Sequence, residues 1–156
     1  MSICIGLPSM AGIVATAVVG SVTPDNVQTY IGIDYSPYDQ SQIILEEPMG
    51  SFGIEYDISK HVRLFGEHIS TPRTCEDNPG INHAGIKLLA PIDDLTFYSG
   101  LSINHTGFDK GDNFNGPLGS IGVEYGDDIK VFAEYLAAFE NFDEGRFSIG
   151  AKVYFK

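Results

Sequence analysis

Tryptophan is absent from the 156 residues, so any belt of aromatic side chains must be drawn from 8 tyrosines and 10 phenylalanines. Basic residues are scarce: 9 lysines and arginines face 21 aspartates and glutamates, a formal net charge of -12. That balance excludes nucleic acid as a partner, because phosphates demand a positive surface. Contact with an anionic lipid surface must likewise come from apolar burial rather than charge attraction. Methionine numbers only 3, whereas there are 18 glycines and 8 prolines, a composition that suits turns and strands better than helices. The two cysteines, Cys4 and Cys75, lie in an apolar N-terminal stretch and in a polar link, so no disulfide framework follows. Cys4 also lacks the small-residue run that precedes a lipidated bacterial cysteine. The length suits one domain and is short for two.

Charge is missing altogether from Met1 to Pro24. The core of that stretch is rich in alanine and valine, and Ala15, Ala17 and Gly20 offer cleavage positions, as in a secretory signal peptide. No Lys or Arg precedes the apolar run, which leaves a retained apolar helix or a first buried strand as the competing reading. A membrane-spanning helix needs about 20 apolar residues, more than this segment offers, and Pro8 interrupts it. The expected organisation is a leader or apolar segment at 1-24 and one domain at 25-156.

After Pro24 the period changes. Val27, Thr29, Ile31, Ile33 and Tyr35 alternate with Gln28, Tyr30, Gly32 and Asp34, the two-residue period of a strand with unlike faces. The same alternation recurs around Ile54, around Leu64, around Ile86, and from Leu95 to Asn104. It returns around Val123, around Val131 and from Phe147 to Phe155. Eight strands result, and no helical period competes over a comparable length.

The links alternate in length. Short ones fall at Asp57 to His61, at Pro91 to Asp94 and at Gly126 to Asp128, each rich in residues that reverse the chain. Long polar ones fall between Ser36 and Gly50, Ser70 and Gly80, His105 and Pro117, and Ala138 and Gly145. Short turns on one rim and long loops on the other, with both ends of the sheet on the turn side, is the layout of a transmembrane barrel. A soluble barrel buries its apolar face inward, whereas a membrane barrel turns it to lipid. Here the polar face mixes Asp34, Glu55, Glu67, Glu124 and Glu134 with Arg63, Lys87 and Lys152, and adds glycines that leave room for opposite charges to pair in a narrow lumen. The expected fold is therefore all-β: an eight-stranded antiparallel up-and-down β-barrel of transmembrane type.

From about Val27 to Phe155 this layout resembles the small outer-membrane barrels of the OmpX, Ail and OmpA type and their phage-carried relatives. The closing Val153-Tyr154-Phe155 is similar to the terminal aromatic strand by which such barrels are recognised for insertion, although Lys156 follows it. The resemblance implies a place in the outer membrane of a Gram-negative-type cell, or alternatively in a phage particle. It implies acidic extracellular loops with a structural, adhesion or attachment role. The implied partners are outer-membrane lipid or lipopolysaccharide and a surface or particle protein reached through the loops.

A second resemblance is local. His68-Ile69-Ser70, followed by Asn78-Pro79-Gly80-Ile81-Asn82, is similar to the motif of the lipid A 3-O-deacylases of the PagL family, which pair a histidine with a serine two residues later. It implies a lipid-directed esterase in which His68 is the general base, Ser70 the nucleophile and Asn82 the group that orients the imidazole. Residues two apart in a strand point the same way, so His68 and Ser70 share the face of Val62 and Leu64. Asn82 has the parity of Ala84 and Ile86. It can orient a histidine but does not stabilise its cation as the acidic residue of that family does. Thr71 also stands where that family has asparagine. The plain alternative is a polar strand end giving way to a loop.

His83 and His105 read as structural or loop residues, since their spacing from His68 matches no recognised metal set. The stretch Asp109 to Asn113 lacks the distal bidentate glutamate of a calcium loop. Glu140, Asp143 and Glu144 read as a solvated rim. Neither a metal nor a cofactor is expected.

Overall fold

A computed structural model of the chain describes residues 26-39, 49-70, 81-105, 116-139 and 145-155. The N-terminal segment, both cysteines and most of the long links lie outside these residues. Eight strands follow one another: β1 (Val27–Asp39), β2 (Met49–Ser59), β3 (Val62–Ser70), β4 (Ile81–Ile92), β5 (Leu95–His105), β6 (Gly116–Tyr125), β7 (Ile129–Ala138) and β8 (Arg146–Phe155). Each pairs antiparallel with its neighbour in sequence, and β1 also pairs with β8, so the sheet closes on itself. Closure leaves no edge strand, and the continuous ladder satisfies the backbone groups that lipid cannot solvate. Strands of 9 to 13 residues match the length needed to cross a bilayer at a tilt.

The alternation seen in the sequence becomes two faces of opposite character. Ile31, Leu101 and Ile149 are 55%, 50% and 46% exposed on the outside. Ile54 and Val123 share that outer face, half covered by neighbouring side chains. Glu55, Arg63 and Lys152, by contrast, are only 2%, 5% and 7% exposed inside the barrel, where Glu67 and Glu124 also lie. A continuous exposed apolar wall around a charged interior is the inverse of a water-soluble barrel. Aromatic rings mark both margins of this wall, with Tyr56, Tyr125 and Phe155 toward the turns and Tyr35 and Phe147 toward the long links.

The turn between β4 and β5 has only Asp93 and Asp94 outside the ladder, and Pro91 and Ile92 belong to β4. Asp93 takes φ 53°, a left-handed conformation that aspartate tolerates far better than a β-branched residue. Gly126 opens the turn between β6 and β7 at φ 108°, where an added Cβ would also run into the carbonyl of Ile129. On the opposite rim β1 runs on past Ser36 to Asp39. Its pairing with β8 shifts register between Tyr35 and Tyr38, a bulge that the alternation did not reveal.

The lumen is filled rather than open. Eight strands enclose a width that side chains span, and ion pairs cross it. Arg63 on β3 reaches Glu55 at 2.9 Å and, on the far wall, Glu124 at 3.0 Å. Lys152 on β8 reaches Glu67 at 3.1 Å, and Lys87 on β4 reaches Glu134 on β7 at 3.6 Å. Toward the long links the lining turns apolar, with Met49, Ile69 and Ile81 packed together and Leu118 and Leu136 also buried. Sequence alternation had assigned that inner face polar and small residues with a few aromatic rings, so this aliphatic layer is a departure from it.

Candidate functional site

The three residues of the local motif stand on two adjacent strands at the long-link end of the outer face. The β3–β4 register sets His68 directly opposite Asn82, and the Nδ1 of His68 lies 2.8 Å from the side-chain oxygen of Asn82. That oxygen can only accept, so Nδ1 carries the proton and the lone pair of the neutral ring falls on Nε2, the position a general base needs. Phe52, opposite His68 on the other side, packs its ring against the imidazole with centroids 5.1 Å apart and planes tilted by 36°. The imidazole is therefore held by a hydrogen bond on one flank and an aromatic ring on the other. Ser70 ends β3 opposite Gly50 on the same face. Among the described residues no hydrogen bond joins Ser70 to His68. His105 pairs with Asn82 in the backbone ladder, which continues this row of positions onto β5.

Sequence reasoning did not find a second polar chain, inside the lumen. Glu67 accepts a hydrogen bond from Nε2 of His83 at 2.9 Å, and Nδ1 of His83 lies 3.3 Å from the Ser102 hydroxyl. The order of carboxylate, imidazole and hydroxyl resembles that of a hydrolytic triad. Its setting is different: Glu67, His83 and Ser102 are buried at 8%, 5% and 4% exposure, with Phe65 edge-on to the imidazole and Lys152 on the same carboxylate. A substrate has no room there, and the chain ties β3, β4 and β5 together. The signal available in the sequence was the inward parity of all three residues.

The remaining lumen is a charge lattice. Arg63 adds Asp57 at 2.6 Å near the turn rim, and Lys130 holds Glu124 at 2.8 Å. Tyr154 donates to Glu55 at 3.0 Å and Tyr98 to Glu134 at 3.0 Å. No group of three or more metal-binding side chains gathers among the described residues.

An outward apolar belt, a closed ladder and a paired luminal lattice together have one physical setting. The fold is that of a transmembrane β-barrel. Two solved structures agree in fold. A de novo designed transmembrane β-barrel superposes with a TM-score of 0.57 at 15% identity over 86% of this chain and 98% of that one. The N-terminal β-barrel domain of Pseudomonas aeruginosa OprF gives 0.52 at 11% identity over 83% and 96%. The Yersinia pestis outer membrane protein Ail in a phospholipid nanodisc gives 0.48 at 12% identity over 82% and 99%. No family model and no curated protein matches the sequence.

Proposed function

We propose that this chain is an outer-membrane barrel of the surface-display kind, in which a rigid wall holds four long acidic loops outside the cell for adhesion, envelope integrity or attachment to a particle. The observation that carries the reading is the way charge is divided. Inside, Asp34, Glu55, Asp57, Glu67, Glu124 and Glu134 face Arg63, Lys87, Lys130, Arg146 and Lys152, so the lumen is close to neutral. The excess that makes -12 therefore lies outside the lumen, much of it in the long links, where Glu46, Glu47, Glu76, Asp77, Asp109, Asp112, Glu140, Asp143 and Glu144 meet only Arg73 and Lys110. A scaffold that neutralises its interior and exports its negative charge suits a basic or cation-bridged surface partner. Lipopolysaccharide or another outer-leaflet lipid is the partner of the belt.

Cys75, in the second long link, gives a direct test. Intact cells treated with a membrane-impermeant maleimide should label it, and Cys75→Ser should abolish the signal. Labelling that appears only after the envelope is broken would place the long links on the inner side and end this reading.

The pairing of His68 with Asn82 supports a second reading, a lipid A acyl-ester hydrolase. In it Nε2 of His68 takes the Ser70 proton as the hydroxyl oxygen attacks the ester carbonyl. The acyl chain passes to Ser70, the sugar hydroxyl leaves with the proton, and water then releases the fatty acid. Lipid A incubated with the barrel should lose the mass of one acyl chain, and Ser70→Ala should stop the loss while the barrel still folds. Unchanged lipid A with the parent protein removes this reading and leaves the first intact.

A further inference from the structure

The luminal face repeats itself. In β1–β2, Tyr30 stands opposite Gly53, Gly32 opposite Ser51 and Gln28 opposite Glu55. In β5–β6, Tyr98 stands opposite Gly122, Gly100 opposite Ser120 and Thr96 opposite Glu124. The other two hairpins follow a different rule, common to both of them. Phe65 stands opposite Gly85, Glu67 opposite His83 and Arg63 opposite Lys87 in β3–β4. Phe132 stands opposite Gly150, Glu134 opposite Ser148 and Lys130 opposite Lys152 in β7–β8. The connecting registers agree as well, with Glu55 opposite Phe65 and Glu124 opposite Phe132.

The contacts obey the same two-fold relation. Lys87 lies 4.3 Å over the Tyr98 ring and 4.8 Å over Phe65, while Lys152 lies 4.2 Å over Tyr30 and 5.2 Å over Phe132. Lys152 pairs with Glu67 at 3.1 Å and Lys87 with Glu134 at 3.6 Å, so each lysine reaches into the other half. Arg63 binds Glu55 at 2.9 Å as Lys130 binds Glu124 at 2.8 Å. Packing alone asks for small residues opposite rings and for opposite charges together. It does not ask that residue type, register and partner recur together after four strands.

We infer that the barrel is a duplicated four-stranded unit, β1–β4 followed by β5–β8, and that its two seams, β4–β5 and β8–β1, are equivalent, so that each unit closes against another of its own kind. At the β8–β1 seam Asp34 stands opposite Gly150, and its carboxylate meets Arg146 at 3.2 Å. At the β4–β5 seam Ser102 stands opposite Gly85, and the position matching Arg146 is Ile81. Arg146 pairs with Leu136 in the ladder just as Ile81 pairs with Ile69. The two seams differ in the residues they carry, and the bulge past Tyr35 has no counterpart among the described β4–β5 pairs, but they share their register from Tyr30 to Asp34 and from Tyr98 to Ser102, which makes the ion pair of one transferable to the other.

Ile81→Arg, Ser102→Asp and the double variant test this in the full chain, refolded into phosphatidylcholine vesicles and unfolded with urea. Ile81→Arg alone buries a charge with no partner built for it, and the folded-to-unfolded ratio should fall about a hundredfold or more. Ser102→Asp alone can borrow His83, so the decisive quantity is the coupling between the two changes. The double variant should regain at least about tenfold over the product of the single effects, as a new carboxylate–guanidinium pair across the β4–β5 seam requires. Losses that simply multiply overturn the inference. So does an Ile81→Arg chain that fails to fold and that Ser102→Asp does not restore.

Discussion

Replacing Arg63 with methionine removes the hub of the lattice nearest the turn rim, and its cost can be worked out partner by partner. Asp57 is lost at 2.6 Å, but its side chain is 35% exposed and water takes over, so this contact contributes about 0 to 1 kcal/mol. Glu124 loses a partner at 3.0 Å and keeps Lys130 at 2.8 Å. Glu55 fares worst: its side chain is 2% exposed, the cation at 2.9 Å disappears, and among the described residues the Tyr154 hydroxyl at 3.0 Å is the direct partner that remains. Leaving a buried charge in this state costs about 3 to 5 kcal/mol, and the methionine fits the space of the arginine stem, so little packing is lost with it. The lack of tryptophan makes far-UV circular dichroism the natural signal for a urea titration in vesicles. Adding Glu55→Gln to Arg63→Met removes the stranded charge and should recover more than half of the loss. A single variant within about 1 kcal/mol of the parent, or a double variant no better than the single, would refute the view that these pairs hold the lumen together.

Further outcomes follow from the two faces. Leu101→Arg, in the middle of the apolar belt, should cost about 2 to 4 kcal/mol in a bilayer, while Leu95→Arg at the turn rim should cost about 0 to 1, both read from vesicle unfolding. Gly53→Ala and Gly122→Ala would each bring a Cβ to 2.5 Å of a tyrosine ring and should lose about 1 to 3 kcal/mol alike. Gly66→Ala, whose Cβ would meet nothing nearer than 3.7 Å, should unfold at the parental urea concentration. In planar bilayers the folded protein should add no steady conductance, because side chains from facing walls meet across the lumen; stable single-channel steps would contradict the filled interior.

The fold was legible because a strand with one face to lipid and one to a charged lumen forces strict alternation, and the short and long links alternate just as regularly. What escaped was whatever breaks that rule. Met49, Ile69 and Ile81 are apolar yet point inward, so parity with Asp34 or Glu67 placed them on a face expected to be polar. The duplication was hidden by its links: Tyr30 to Tyr98, Gly53 to Gly122, Glu67 to Glu134 and Lys87 to Lys152 are not equally spaced, so no single shift aligns the halves. Only the ladder brings them into register. Of the candidate site, the shared face of His68, Ser70 and Asn82 was readable from parity, and the side-by-side placement of His68 and Asn82 followed from one hairpin. The stacking of Phe52 was not, because the β2–β3 register that sets it opposite His68 shifts between Asp57 and Ser59, an irregularity that alternation does not show.

The seam between β1 and β8 has a temporal meaning. Every other pairing joins strands that are neighbours in the chain, so each closes over a turn or one link at a smaller entropic cost than the ends of the whole sheet pay. Thr29 meets Phe155 and Tyr30 meets Tyr154 only after nearly the whole described chain has been laid down between them. The first strand must therefore wait for the last, holding an unpaired edge throughout assembly. In water such an edge invites pairing with other chains, and in lipid each unpaired amide costs several kcal/mol. A chain lacking β8 is accordingly an open sheet with two raw edges, not a smaller barrel, and a bilayer has no place for it.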